Sequence, residues 1–464
     1  MPAFEPGSFR DRHARIFRHG NRVLRALSPT ARDDWELLSA TRLFATRTAN
    51  GTIVNTRRAP DEAVLLESTG DGWCAVVEHD RVPFISYPYE WTFGMLRDAA
   101  LLHLDLIREA IDEGLILKDA TPYNVQFMNG RAVFIDTASF TRLDAGEPWH
   151  GYRQFCRLFL YPLMLQAYKD AAFQPWLRGS LEGIEPRDMR ALFGTRDLLR
   201  RGVLTHVALQ AGAEARLGST TRNVRAELKQ AGFSAALIVA NVTRLRRLVE
   251  GLAWNRRTSA WSGYAGANTY SAEDADRKEA FVRRAAAARS HRLIWDLGAN
   301  TGHYSRVVAP YADCVVALDA DALAVERLRS DLRDRGPSNI LPLVGNVLDP
   351  SPGLGWRGDE RVPLDRRGVP DLTLALALVH HVVIAGNVPL PEFIGWLARP
   401  GGDLLIEFVS KDDAMVRQLL LNKDDQYADY TRDVFERTLA AHFDVVATEE
   451  VQQGGRVLYH AIHR

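Results

Sequence analysis

Gly298-Ala299-Asn300-Thr301-Gly302 follows an apolar run, Leu293 to Leu297, and precedes a helical pattern from His303 to Ala309. A glycine turn between a strand and a helix lets a ligand approach backbone that a Cβ would block, and the N–H groups at the helix start can bind a polar group. Taken alone, the glycines fit a plain tight turn as well. Asp319 closes the next apolar run, 21 residues after Gly298. A carboxylate there can accept hydrogen bonds from both hydroxyls of a ribose, or simply cap the strand end. The third run ends in Gly345-Asn346-Val347, where the amide and the backbone could read an adenine edge or form a turn.

Further residues could act on a second ligand. The run Leu372 to Leu378 leads into Val379-His380-His381, at the strand end where open α/β sheets bind ligands. Either histidine is a candidate general base, or a packing residue of the loop. Adjacent histidines point in different directions and do not by themselves make a metal site. Glu407, at the end of the fifth run, is a candidate acid on the substrate side. In the amino-terminal half, Asp119, Asn124 five residues later, and Asp136 at the end of a hairpin strand have a spacing that brings them together.

The elements that must position these groups can be read from periodicity. Beyond Arg277 short apolar runs alternate with helical stretches, the pattern of an α/β fold whose parallel sheet is covered on both faces. The last two runs, at Phe443 and Arg456 to Ala461, flank a short turn at Gly454-Gly455 and predict a terminal hairpin. Earlier, Leu65 to Tyr87 alternates apolar and turn residues and predicts two or three antiparallel strands. Thr92 to Glu113 has the 3.6-residue period of a buried helix stopped by Gly114. Tyr152 to Leu252 reads as several packed helices, and Asn255 to Asp276 as a polar linker. The expected division is an α+β region at 1–150, a helical region continuing it at 151–254, and an α/β domain at 255–464.

The order of DLGANTG at Asp296 to Gly302, an acidic strand end at Asp319, and VGNVLD at Val344 to Asp349 resembles the class I S-adenosylmethionine-dependent methyltransferases. The likeness covers roughly 200 residues and implies a Rossmann-like sheet with an antiparallel last strand. It further implies a cofactor site made by Asp296 near the methionine moiety, Gly298, Asn300 and Gly302 along the turn, Asp319 on the ribose, and Asn346 with Val347 at the adenine. A dinucleotide-binding alternative lacks its third glycine at the required spacing. With Glu407 to Asp413, Tyr427, Tyr430, Trp261, Tyr264 and Tyr270, the segment is similar to bacterial methyltransferases related to a nodulation protein, the aromatics forming a lid or packing the linker. The segment Leu117 to Thr137 resembles the catalytic loop and metal-binding aspartate of protein-kinase-like phosphotransferases, which implies roles for Asp119, Asn124 and Asp136. It departs from them in Lys118, in Thr137 to Ser139 after the second aspartate, and in having no lysine before Lys118.

Composition bounds what remains. Lys plus Arg and Asp plus Glu are equal at 58 each, so no global field draws the chain to nucleic acid or an anionic membrane. Cys74, Cys156 and Cys314 lack zinc-site spacing or disulfide number, the first twenty residues lack an apolar signal core, and no run reaches membrane-spanning length. A cytoplasmic methyltransferase is expected, using S-adenosylmethionine and no metal on a small-molecule or saccharide acceptor. No Asn-Pro-Pro-Tyr type sequence stands at Val379 to Val382 to suggest a nucleic base. The alternatives are a kinase-like phosphotransferase whose carboxyl half senses cofactor, and a noncatalytic scaffold.

Overall fold

The computed structural model describes residues 4–212, 234–259, 271–421, 424–452 and 455–464. The expectations for Trp261, Tyr264, Tyr270 and Gly454 fall outside them.

An antiparallel sheet does open the chain, but not where alternation placed it. Its strands are β1 (Ala14–His19), β2 (Arg22–Leu27), β3 (Thr56–Arg58) and β4 (Ala75–His79), in the order β1-β2-β4-β3. Of Leu65 to Tyr87 only β4 is a strand; Glu62–Thr69 is helical, and Glu62 accepts the Val76 N–H at 2.7 Å, which fastens that helix to β4.

The long helix Phe93–Asp112 starts on Thr92, whose hydroxyl accepts from the Met95 N–H, and buries Leu96, Ala100, Leu104, Ile107 and Ile111 along one stripe. Strands β5 (Leu115–Leu117) and β8 (Phe140–Arg142) pair with each other, as do β6 (Val125–Met128) and β7 (Arg131–Phe134). The two-residue turn Asn129-Gly130 has positive φ at both positions, the geometry that matches a hairpin's twist. Helices follow, among them Tyr161–Lys169 and Ala235–Glu250.

The carboxyl-terminal sheet has seven strands: β9 (His291–Leu297), β10 (Ala312–Asp319), β11 (Ile340–Val344), β12 (Leu372–Ala375), β13 (Asp403–Val409), β14 (Phe443–Gln452) and β15 (Arg456–His463). Their order is β11-β10-β9-β12-β13-β15-β14, with β15 antiparallel to both neighbours. The order reverses between β9 and β12, which opens a crevice at the carboxyl end of β9.

The two sheet faces are covered from different parts of the chain. Ile294, Val315 and Ala317 pack on Phe281 and Val282 of helix Ala272–Ala287 and on Val307 and Val308. On the opposite face, Leu293, Trp295, Leu297, Val316 and Leu343 belong to one core with Phe84, Trp91 and Leu96 of the amino-terminal half, and Phe84 meets Trp295 edge-on at 6.4 Å. The other crossovers carry α-helices, but the crossover from β11 to β12 has only the short turns Trp356–Gly358 and Leu364–Arg366 among its helical pieces. The amino-terminal half grips this crossover. Arg367 and Glu90 form a fully buried double contact, Tyr87 Oη accepts the Val362 N–H at 2.8 Å, and the Arg361 guanidinium lies 4.1 Å from the Tyr123 ring centre. The core therefore runs without a break across the boundary drawn at Asn255.

Candidate functional site

The glycine turn follows directly from β9. Gly298, Asn300 and Gly302 all take positive φ, at 78°, 49° and 75°. A Cβ on Gly302 would stand 2.5 Å from Leu328 Cδ1, and one on Gly298 would narrow the approach to Leu378 to 3.3 Å. The turn is therefore shaped both by backbone conformation and by close packing. Asn300 suits its left-handed position better than a branched residue would.

Asp319 holds this turn from the neighbouring strand. Its Oδ2 accepts the Asn300 N–H at 2.7 Å and its Oδ1 the Asp321 N–H at 2.8 Å. Burial pushes its carboxyl above the usual range, against these backbone bonds. Each oxygen keeps a lone pair for another donor. The Oδ1 of Asn300 is itself buried with no protein partner.

These residues bound a cavity of about 330 Å³, lined also by Gly345, Asn346 and Val347 on one side and by Leu376, Ala377, Leu378 and His381 on the other. Asn346 Oδ1 accepts the Leu348 N–H at 2.9 Å, so its carbonyl makes a turn while its amide group keeps its donors. The turn and the ligand readings of Asn346 thus coexist in one side chain. Asp296 and Gly302 are not part of its lining. Asp296 accepts from Ser305 Oγ at 2.5 Å, and burial pushes its carboxyl up to about 6.

Of the three residues expected to act on substrate, the structure brings one to the cavity. His381 lines it, at the start of a π-helical turn, His381–Ala385, and burial followed by the Arg456 charge lowers its imidazole to about 4. His380 is completely buried behind it, ring centres 4.2 Å apart, and burial keeps that imidazole neutral. Glu407 does not reach the cavity. Its carboxylate is fully buried and takes Lys278 Nζ at 2.7 Å, the Ala377 N–H at 2.7 Å, and Arg456 Nη1 at 3.6 Å.

Lys278 was missed by sequence reasoning although it had a signal. It sits on the apolar stripe of its helix, one turn before Phe281 and Val282, where a solvated lysine would not stand.

The amino-terminal residues also converge. Asn124 Nδ2 donates to Ser139 Oγ at 3.0 Å, Ser139 Oγ donates to Asp136 Oδ2 at 2.6 Å, and Asp119 lies within electrostatic reach of Asp136. The second oxygen of Asp136 pairs with the buried Arg25 of β2, a cation the sequence reading did not single out. Among the described residues no group of three or more His, Cys, Asp or Glu is placed to hold a metal ion, and no helix is long and apolar enough to cross a membrane.

No family model matches the chain. It is 34% identical over 460 residues to nodulation protein NoeA of Rhizobium meliloti (strain 1021), covering 99% of this chain and 96% of that protein. Among solved structures it is similar to the N-methyltransferase NodS of Bradyrhizobium japonicum WM9, at 12% identity over 41% of this chain and 96% of that one, with a TM-score of 0.31. A SAM-dependent methyltransferase of Aquifex aeolicus is similar at 15% identity over 41% of this chain and 98% of that one, with a TM-score of 0.28.

Proposed function

Starting from a chain that belongs to the family of nodulation protein NoeA, we propose that it is a class I S-adenosylmethionine-dependent methyltransferase whose reaction takes place in the crevice between β9 and β12. The observation that carries this reading is the pairing of Asp319 with the Asn300 N–H, which sets a glycine turn beside a cavity that Asn346 also lines.

The residues present fit the cofactor. Asp319 would accept from the ribose hydroxyls, Asn346 and Val347 would meet the adenine, and Gly298 with Asn300 would lie along the nucleoside. Asp296, whose carboxylate accepts from Ser305, would stand near the methionine end. When bound, the cofactor supplies a methyl group already activated on a sulfonium. The protein's task is then to align the acceptor, exclude water and accept a proton.

His381 is the group placed for the last task. It lines the cavity, and its imidazole, lowered to about 4, is unprotonated at neutral pH while being a weaker base than an ordinary histidine. His380 packs behind it and keeps its ring in place. Glu407 acts only through other groups. The acceptor is a small molecule or a saccharide rather than nucleic acid, in keeping with the balanced charge of 58 against 58. The reaction belongs in the cytoplasm, where Cys74, Cys156 and Cys314 stay unbridged.

Titration calorimetry of S-adenosylhomocysteine into the wild type and into Asp319→Ala tests the proposal. Binding by the first and loss in the second is the expected result; a well-folded wild type that does not bind would overturn it. A screen of cell extract with labelled cofactor would then identify the acceptor.

One observation favours a second activity, phosphotransfer at Asp119, Asn124 and Asp136: Asn124 and Asp136 both bond Ser139, Asp119 lies within electrostatic reach of Asp136, and Arg25 supplies a cation. Magnesium ATP binding that disappears in Asp136→Ala would support it. Arg25 and Ser139 already satisfy Asp136, so a purely structural role predicts no binding.

A further inference from the structure

The charged cluster behind the cavity wall is not used by the reaction as described. Lys278 and Glu407 are both almost wholly inaccessible, at 2% and 0%. Two charges are rarely kept at such depth for stability alone, because their desolvation cost offsets most of their attraction. The geometry shows what the carboxylate does. Glu407 Oε2 accepts two hydrogen bonds at 2.7 Å, one from Lys278 Nζ and one from the Ala377 N–H.

Ala377 is the place where this matters. It follows β12 with φ +50°, in the left-handed region that an alanine disfavours. Together with Leu376 and Leu378 it forms the cavity wall opposite Asp319, and the chain continues directly to His381. Without an acceptor at Glu407, the Ala377 N–H would be unsatisfied and the backbone would relax toward an extended or right-handed conformation. Either relaxation would move Leu376 and Leu378.

Lys278 fixes the acceptor in turn. Its ammonium lies 4.9 Å from the centre of the Tyr304 ring, so it is held from one side by an aromatic face and from the other by the carboxylate. Arg456 lies 3.6 Å from the other carboxylate oxygen but makes its closer contact, 2.8 Å, with Asp413, which caps the helix Ala414–Leu420.

We propose that Glu407 and Lys278 are positioning residues for the methyl-transfer site, holding Ala377 in its left-handed conformation and so setting the wall against which cofactor and His381 are aligned. This rests on the cofactor reading above.

The test compares two uncharged replacements of the pair in the full-length protein. Lys278→Met with Glu407→Gln keeps an acceptor for the Ala377 N–H; Lys278→Met with Glu407→Leu removes it. Both double variants lack both charges, so a difference between them reports the acceptor for Ala377 rather than the loss of charge. With S-adenosylhomocysteine as the probe, the glutamine variant should bind within about threefold of the wild type, and the leucine variant about tenfold or more weakly, the size of one buried donor left unsatisfied. Equal affinity in the two would overturn the proposal. Should either variant not fold, hydrogen exchange of the wild-type Ala377 amide decides: slow exchange without ligand is expected, and exchange at the rate of an open loop overturns it. A wild type that does not bind S-adenosylhomocysteine would instead remove the cofactor reading, and the exchange result would still stand separately.

Discussion

Asp319 Oδ2 accepts the backbone N–H of Asn300 at 2.7 Å, so the carboxylate placed to grip a ribose also fixes the turn that would run beneath it. Binding and local backbone shape therefore depend on one side chain.

This double role separates two substitutions. Asp319→Asn can still accept one of the two backbone N–H groups and should keep most of the fold, yet lose at least about tenfold in S-adenosylhomocysteine affinity as the charge-assisted bonds weaken. Asp319→Ala should lose binding and also about 1–3 kcal/mol of stability, because two buried N–H groups lose their acceptor. Calorimetry and urea denaturation on both variants check the order; equal stability losses would contradict it.

Asp296 gives a pH dependence whose sign can be worked out. Its carboxyl is pushed up to about 6 in the folded protein, against about 3.9 unfolded. Between these values the native state keeps a proton that the unfolded chain releases, so stability falls as pH rises and levels off above 6. The total is about 3 kcal/mol at most. Asp296→Asn should remove this slope and be more stable than the wild type at pH 7.5 while binding cofactor less well. Denaturation midpoints at pH 4.5 and 7.5 would show it, and an unchanged slope would refute it.

For His381 the shift runs the other way. An imidazole lowered to about 4 stays unprotonated through the range where an ordinary histidine gains a proton. Methyl transfer should show no acid limb from this group near pH 6.5. His381→Ala should reduce single-turnover transfer about 100-fold or more and leave S-adenosylhomocysteine affinity within about threefold. A rate unaffected by the substitution would exclude His381 as the proton acceptor.

The buried pair of Arg367 and Glu90 joins the two halves. Removing one partner, as in Glu90→Gln, should destabilise by about 3–5 kcal/mol because the other charge is left uncompensated. Adding Arg367→Met to Glu90→Gln should recover a good part of that loss. Urea denaturation of the two singles and the double is the check, and simple additivity would mean that the two do not act as a pair.

What could be read from the sequence was mostly local. The strand, glycine turn and helix at Leu293 to Ala309, and the capped helix after Thr92 with its stop at Gly114, carry their signals within a few residues and are present as expected. Leu65 to Thr69 is different, since a short apolar run serves a helix or a strand alike, and the outcome rests on Glu62 reaching Val76 across the fold. Strands β1 and β2, rich in arginine, gave little strand signal; Arg25 is buried because Asp136, 111 residues away, meets it. The same holds at the site. That Glu407 turns from the cavity depends on Lys278, 129 residues earlier, and no local pattern around Glu407 contains that fact.

The crossover between β11 and β12 lacks an α-helix and leans on Tyr87, Glu90 and Tyr123 instead. A consequence concerns heredity more than chemistry. Were the gene cut near codon 255, the downstream product would lose the amino-terminal side chains that pack with Trp295, Val316 and Leu343 and would present apolar surface on the β9 to β11 part of that sheet face. The carboxyl-terminal segment is thus not a portable cassette. Recombination could move it to a new context only together with the stretch around Phe84 and Glu90, so these two parts of the chain are constrained to be inherited as one.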